Sequence, residues 1–210
     1  MFKAFQSPSL PPGLLIQLAQ TLWQGGWSVM MNQMAPRNGA GEYVRPESTF
    51  RQRLSAAPDS PFPPDFQRYG LIVGWSCPWA HRTLMVRALK GLEACIPVTI
   101  VSPSPQAGGW CFETPVQGCT TLRQFYQQVS PGYGGRATVP VLWDQHQKTI
   151  VNNESAEIIE ILNTAFAPWE TANAPDLYPE PLRETIDRWN ETIYNTVNNG
   201  VYRCGFAQTQ

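Results

Sequence analysis

The sequence predicts an α/β fold: a β-α-β unit, then a β-hairpin closed by a helix, then the start of an all-α region. Three observations carry this. The apolar run Tyr69-Gly70-Leu71-Ile72-Val73-Gly74-Trp75 has strand length and meets Ser76-Cys77-Pro78, a helix start with proline in the first turn. Beyond that helix, Pro97-Val98-Thr99-Ile100-Val101 is β-branched and bounded by turn residues. Finally, Thr138–Trp143 and Thr149–Val151 flank the polar stretch Asp144–Lys148 and run into Glu154-Ser155, a second helix start.

Upstream, the apolar stretch Leu10–Met34 is broken by Gln17, Gln20, Gln24, Gly25 and Gly26. It lacks the basic start and small-residue cleavage site of a secretory signal, and it is too poor in Lys and Arg for a surface-seeking membrane helix. An amphipathic helix resting on the protein body is expected there. Residues 35–68 hold Pro36, Pro46, Pro58, Pro61, Pro63 and Pro64, so an extended, poorly helical lead-in is expected. After Pro78, Leu84, Met85, Ala88, Leu89 and Leu92 recur at helical spacing and predict one buried face. The next strand should run parallel to the first. A Gly- and Pro-punctuated insertion covers 102–135, and the helix after Glu154 carries its stripe on Ile158, Ile159, Leu162 and Phe166. The order strand, helix, strand, hairpin, helix is that of the thioredoxin-like fold. The expected organisation is an N-terminal extension over 1–68, a thioredoxin-like domain over 69–166, a proline-rich linker over 167–180, and the beginning of a helical domain over 181–210. That last segment is too short to bury a core of its own, so the chain is expected to be the front part of a longer protein or an unusually short one.

Composition narrows the function. A chain of 210 residues with 42% hydrophobic and 15% charged residues is of the soluble globular class, and its formal net charge of -1 offers no basic surface for nucleic acid. Five unevenly spaced cysteines without a Cys-x-x-Cys pair, beside two histidines, point to a reduced, cytoplasmic setting and to no metal site.

The chemistry centres on Cys77. At a strand-to-helix turn, unpaired backbone N–H groups and the helix dipole favour a thiolate over a thiol. Cys95, Cys111, Cys119 and Cys204 lack that setting. A dithiol motif would place a resolving cysteine three positions on, but Ala80 stands there, so an external thiol must resolve the captured group. His81 and Arg82 serve either to raise the local potential or as packing and salt-bridge residues. Val139-Pro140 opens the third strand, where a cis peptide bond would present backbone groups to an extended peptide. Glu154 and Ser155 read either as a helix cap or as the hold on such a peptide, Glu154 accepting from an ammonium and Ser155 with the helix N–H groups binding a carboxylate. Glutathione is a peptide with both ends required.

From Tyr69 to Phe166 the chain resembles the xi class of glutathione transferases, the glutathionyl-hydroquinone reductases. The resemblance is carried by Cys77-Pro78-Trp79-Ala80-His81-Arg82-Thr83, by Thr138–Asp144, by Ile150-Val151-Asn152-Asn153-Glu154-Ser155 and by Asn198-Asn199-Gly200-Val201-Tyr202. It implies a thioredoxin-like glutathione transferase N-terminal domain followed by an all-α C-terminal domain, Cys77 as nucleophile, and glutathione as co-substrate. It further implies Trp110, Arg136, Val139, Glu154 and Ser155 as glutathione contacts, and Tyr202 lining a hydroquinone pocket. Glutathionylated quinols are the implied substrates and a homodimer the implied assembly, with neither nucleic acid nor membrane as partner. Two other readings compete: an omega-like or glutaredoxin-like thiol transferase using the same cysteine, and a non-catalytic binding module that kept the fold.

Overall fold

A computed structural model describes Pro11, residues 13–22, Pro36, residues 38–39 and residues 43–206. The chain divides into two compact units, one of residues 48–184 and one of residues 1–47 with 185–210.

The larger unit is built on a six-stranded mixed sheet in the spatial order β4 (Cys119–Thr121), β3 (Gly109–Val116), β2 (Val98–Ser104), β1 (Tyr69–Val73), β5 (Val141–Asp144), β6 (Thr149–Asn152). Strand β1 (Tyr69–Val73) is buried at every position, as a central strand covered on both faces must be. Helix α2 (Pro78–Leu89) returns the chain so that β2 (Val98–Ser104) lies parallel to β1, with Leu71 opposite Val98. On the other side, β5 (Val141–Asp144) is antiparallel to β1 and forms the expected hairpin with β6 (Thr149–Asn152). Helix α4 (Ser155–Thr164) buries Ile158, Ile161 and Leu162.

The 102–135 insertion is more ordered than its punctuation implies. β2 runs on to Ser104 and pairs with β3 (Gly109–Val116), which pairs with the short β4 (Cys119–Thr121). Helix α3 (Leu122–Val129) follows, opened by a capping box in which Thr121 and Gln124 satisfy each other's backbone N–H groups. Phe125 from this helix packs edge-on against Phe112 and Trp143, so the insertion extends the core.

The face of α2 is a correction. Met85, Ala88 and Leu89 are exposed, whereas Trp79, Ala80, Thr83 and Val86 are buried. Small side chains let the helix approach its neighbours closely, and Lys90 at its end is also buried, its Nζ 2.8 Å from Glu170 and 3.1 Å from the Pro175 carbonyl. A buried lysine is tolerated where a carboxylate and a carbonyl replace its water, and here it ties the segment after α4 to the domain. The lead-in is tied down too: the Gln52 N–H donates to Val151, Arg51 pairs with Glu157, and Arg53 with Glu160. Beneath it, Arg68 grips the fully buried Asp144 through Nε at 2.9 Å and Nη2 at 2.6 Å.

In the smaller unit, residues 13–22 are helical (α1), while the rest of the predicted 10–34 helix lies outside the described residues. Helix α5 (Arg183–Ile193), whose first turn begins in the larger unit, leads through a π-helical turn at Tyr194–Asn198 into α6 (Gly200–Phe206). Tyr202 stacks on Tyr43 with ring centroids 5.5 Å apart.

Candidate functional site

The site is assembled where two helices begin. Cys77 is the N-cap of α2, in extended backbone conformation, with Pro78 occupying the first helical position where no N–H is needed. The turn delivering it is closed by a bond from the Cys77 N–H to the Gly74 carbonyl at 3.0 Å. The Cys77 sulfur is half-buried and lies 3.6 Å from the carbonyl oxygen of Val139. The Val139–Pro140 bond is cis, as the sequence leads one to expect.

The second helix start is α4. Glu154 is its N-cap, its Oε1 accepting from the Ala156 N–H at 3.2 Å, so the capping reading of this residue holds. Its other oxygen accepts from the Ser48 hydroxyl at 2.9 Å. A carboxylate has about four acceptor directions, so two bonds leave room for an ammonium. The turn into the helix is held by asparagines: Asn152 Oδ1 accepts from the Glu154 N–H at 2.7 Å, and Asn153 Nδ2 donates to the Tyr126 hydroxyl at 3.1 Å. Tyr126 in turn donates to the Thr138 carbonyl at 2.9 Å, beside Val139. Burial pushes the Tyr126 hydroxyl well above the ordinary phenol range, which keeps it a donor.

Arg82 connects the two helix starts. Its guanidinium reaches from α2 to the Ser155 hydroxyl, Nε at 3.1 Å and Nη2 at 2.6 Å, and passes 3.8 Å from Glu154. It lies over the Trp79 ring, 5.0 Å from the centroid. Of the two roles open to Arg82 in the sequence, the salt-bridge role is the one observed.

Trp110 on β3 lies against Gly74, where an added Cβ would stand 2.4 Å from the indole ring, so it borders the turn that holds Cys77. Arg136 is exposed, and its backbone carbonyl accepts from Tyr133 at 3.1 Å. Tyr202 belongs to the smaller unit. Sequence reasoning missed Ser48, Asn152, Asn153 and Tyr126 as supports. The first comes from a segment without periodicity, though the Asn-Asn pair before a helix start was a visible cue for side chains that bond backbone.

All five cysteines are free, and burial pushes the thiols of Cys95 and Cys119 up, away from ionisation. Among the described residues no group of three or more His, Cys, Asp or Glu side chains is placed to hold a metal ion, and no helix is long and apolar enough to cross a membrane.

Residues 76–165 match the family model for the glutathione S-transferase N-terminal domain. The chain is 48% identical over 179 residues to glutathione S-transferase omega-like 2 of Schizosaccharomyces pombe, covering 80% of this chain and 57% of that protein. It is 43% identical over 206 residues to a glutathionyl-hydroquinone reductase of Sphingobium chlorophenolicum, covering 94% and 61%. Among solved structures it is similar to the Xi glutathione-S-transferase of Phanerochaete chrysosporium, with a TM-score of 0.77 at 46% identity over 82% of this chain and 58% of that one. The chain thus spans about three-fifths of the length of the curated relatives it matches.

Proposed function

We propose, from the match of residues 76–165 to the glutathione S-transferase N-terminal domain and the likeness to a glutathionyl-hydroquinone reductase, that this chain removes glutathione from glutathionyl-hydroquinones through a mixed disulfide on Cys77. The observation that carries the reading is the placement of the Cys77 sulfur at a helix start, 3.6 Å from the Val139 carbonyl, within a domain whose second helix start offers Glu154 and Ser155. A tripeptide laid along Val139 would reach both.

The steps follow from the thiol chemistry. The Cys77 thiolate attacks the sulfur of the glutathionyl thioether in the ketone tautomer of the substrate. A sulfur–sulfur bond forms, the carbon–sulfur bond breaks, and the released electron pair moves through the ring onto the ketone oxygen, which takes a proton to give the hydroquinone. A second glutathione thiolate then displaces the first from Cys77, giving glutathione disulfide and the free enzyme. Net, one glutathione thiol and the thioether sulfur become a disulfide while the ring is reduced by two electrons. Glu154 receives the γ-glutamyl ammonium, Ser155 its carboxylate, Val139 the peptide backbone, and Trp110 and Arg136 the remainder of the ligand. The working assembly is a cytoplasmic homodimer.

The omega-like name of one relative supports a second reading, thiol transfer to glutathionylated peptides or dehydroascorbate by the same cysteine. Turnover of glutathionyl-menadiol measured beside those two substrates separates the readings, and preference for either of the latter overturns the hydroquinone assignment. Incubation with oxidised glutathione and intact-mass measurement tests the nucleophile. The chain should gain one glutathionyl group and Cys77→Ser none, whereas a non-catalytic module would gain none in either form.

A further inference from the structure

The Arg82–Ser155 contact has a consequence for ligand choice, and it rests on the glutathione reading above. Ser155 is almost wholly buried, 3% exposed, at the first position of α4. Both guanidinium N–H groups of Arg82 converge on its oxygen, at 3.1 and 2.6 Å. A hydroxyl has one hydrogen and two lone pairs. With a two-pronged cation on its lone-pair side, the hydrogen must point away from Arg82, and among the described residues it has no acceptor. Beside it stands Glu154, 3.8 Å from the same guanidinium. The cluster therefore presents a hydroxyl fixed as donor with a cation behind it, next to a carboxylate.

We propose that Arg82 is a positioning and specificity-determining residue: it locks Ser155 as a donor, so the subsite selects an acceptor-only carboxylate of a zwitterionic amino-acid end over a neutral amide there. A primary amide can also accept through its carbonyl, but it carries no charge for Arg82 to attract. A hydrogen bond to a charged acceptor is about twice as strong as one to a neutral acceptor, so the expected preference is roughly three- to tenfold.

The test uses the full chain with Cys77→Ser, to prevent exchange, and measures calorimetric binding of S-methylglutathione and of the same compound with its γ-glutamyl carboxylate converted to the amide. Arg82→Met should weaken the carboxylate ligand about three- to tenfold while changing the amide less than about twofold, so the preference collapses. Arg82→Lys, which keeps the charge but loses the fork, should keep part of it, and it carries the test if Arg82→Met does not fold. In an Arg82→Met background, Ser155→Ala should cost little more, because the hydroxyl is no longer held. If both ligands weaken equally, or the preference is undiminished in the variant used, Arg82 has only a structural role and the proposal fails. If the parent chain binds neither ligand, the glutathione reading falls first and takes this one with it, an outcome distinct from an unchanged preference.

Discussion

Gly74 is the position where a single methyl group tests how the Cys77 turn and Trp110 are fitted together. Its backbone is outside the left-handed region, so space and not conformational freedom demands glycine there. An added Cβ would lie 2.4 Å from Cζ3, 2.7 Å from Cη2 and 3.1 Å from Cε3 of Trp110. Carbon atoms rest about 3.5–4.0 Å apart, so the indole must retreat by about 1 Å. Overpacking of this kind costs about 1–3 kcal/mol, while alanine returns about 0.4–1 kcal/mol by restricting the unfolded chain. Gly74→Ala should thus be destabilising on balance in the parent protein, and neutral to slightly stabilising in a Trp110→Ala background where the ring is gone. The coupling, measured by urea denaturation of the four proteins in the cycle, should be about 1–3 kcal/mol. Additivity within about 0.5 kcal/mol would refute the reasoning. Glutathione affinity should also fall in Gly74→Ala, since the displaced ring is a proposed ligand contact.

Three further outcomes are expected. Asp144→Ala leaves the Arg68 guanidinium buried without its carboxylate and should cost about 3–5 kcal/mol in urea denaturation, whereas Arg68→Met with Asp144→Leu should recover most of that; equal loss in both would contradict the ion-pair account. Burial works to raise the Glu157 carboxyl, but bonds from Arg51 and Asn152 outweigh it and hold the group below its ordinary value of 4.5. Its stabilisation is therefore complete above that value and is lost as pH falls through the lower folded-state one, so the stability gap between parent and Glu157→Gln should hold near neutrality and shrink below pH 4.5; a gap that persists unchanged in acid would be inconsistent with this. Ser48→Ala removes one donor from Glu154 and should raise the KM for glutathione a few-fold, about one neutral-to-charged hydrogen bond's worth at most, with kcat unchanged; a fall in kcat alone would place Ser48 elsewhere in the reaction.

Much of the larger unit was legible because its signals are local. The Tyr69–Val73 run, the Cys77-Pro78 helix start and the Asp144–Lys148 turn each specify their own conformation, and all three stand where expected. Helix α3 was equally local, since Thr121 and Gln124 form a capping box, but its apolar stripe of Leu122, Phe125 and Tyr126 is short and is surrounded by Gly and Pro. The face of α2 was misread for a different reason. Met85 and Leu89 are left exposed while Trp79, Ala80, Thr83 and Val86 are buried, because the seat of the helix against its neighbours, and not its most regular apolar stripe, sets the packed face.

The site divides along the same line. The places of Cys77 and Glu154 in their own elements are written in the local sequence, because a helix start is a matter of a few consecutive residues and their backbone bonds. That Ser48 crosses to Glu154, Arg82 reaches Ser155 and Trp110 closes over Gly74 follows from the folded chain alone. Those pairs are separated by tens of residues along the chain. Their meeting depends on sheet order and helix packing, which no short stretch of sequence encodes.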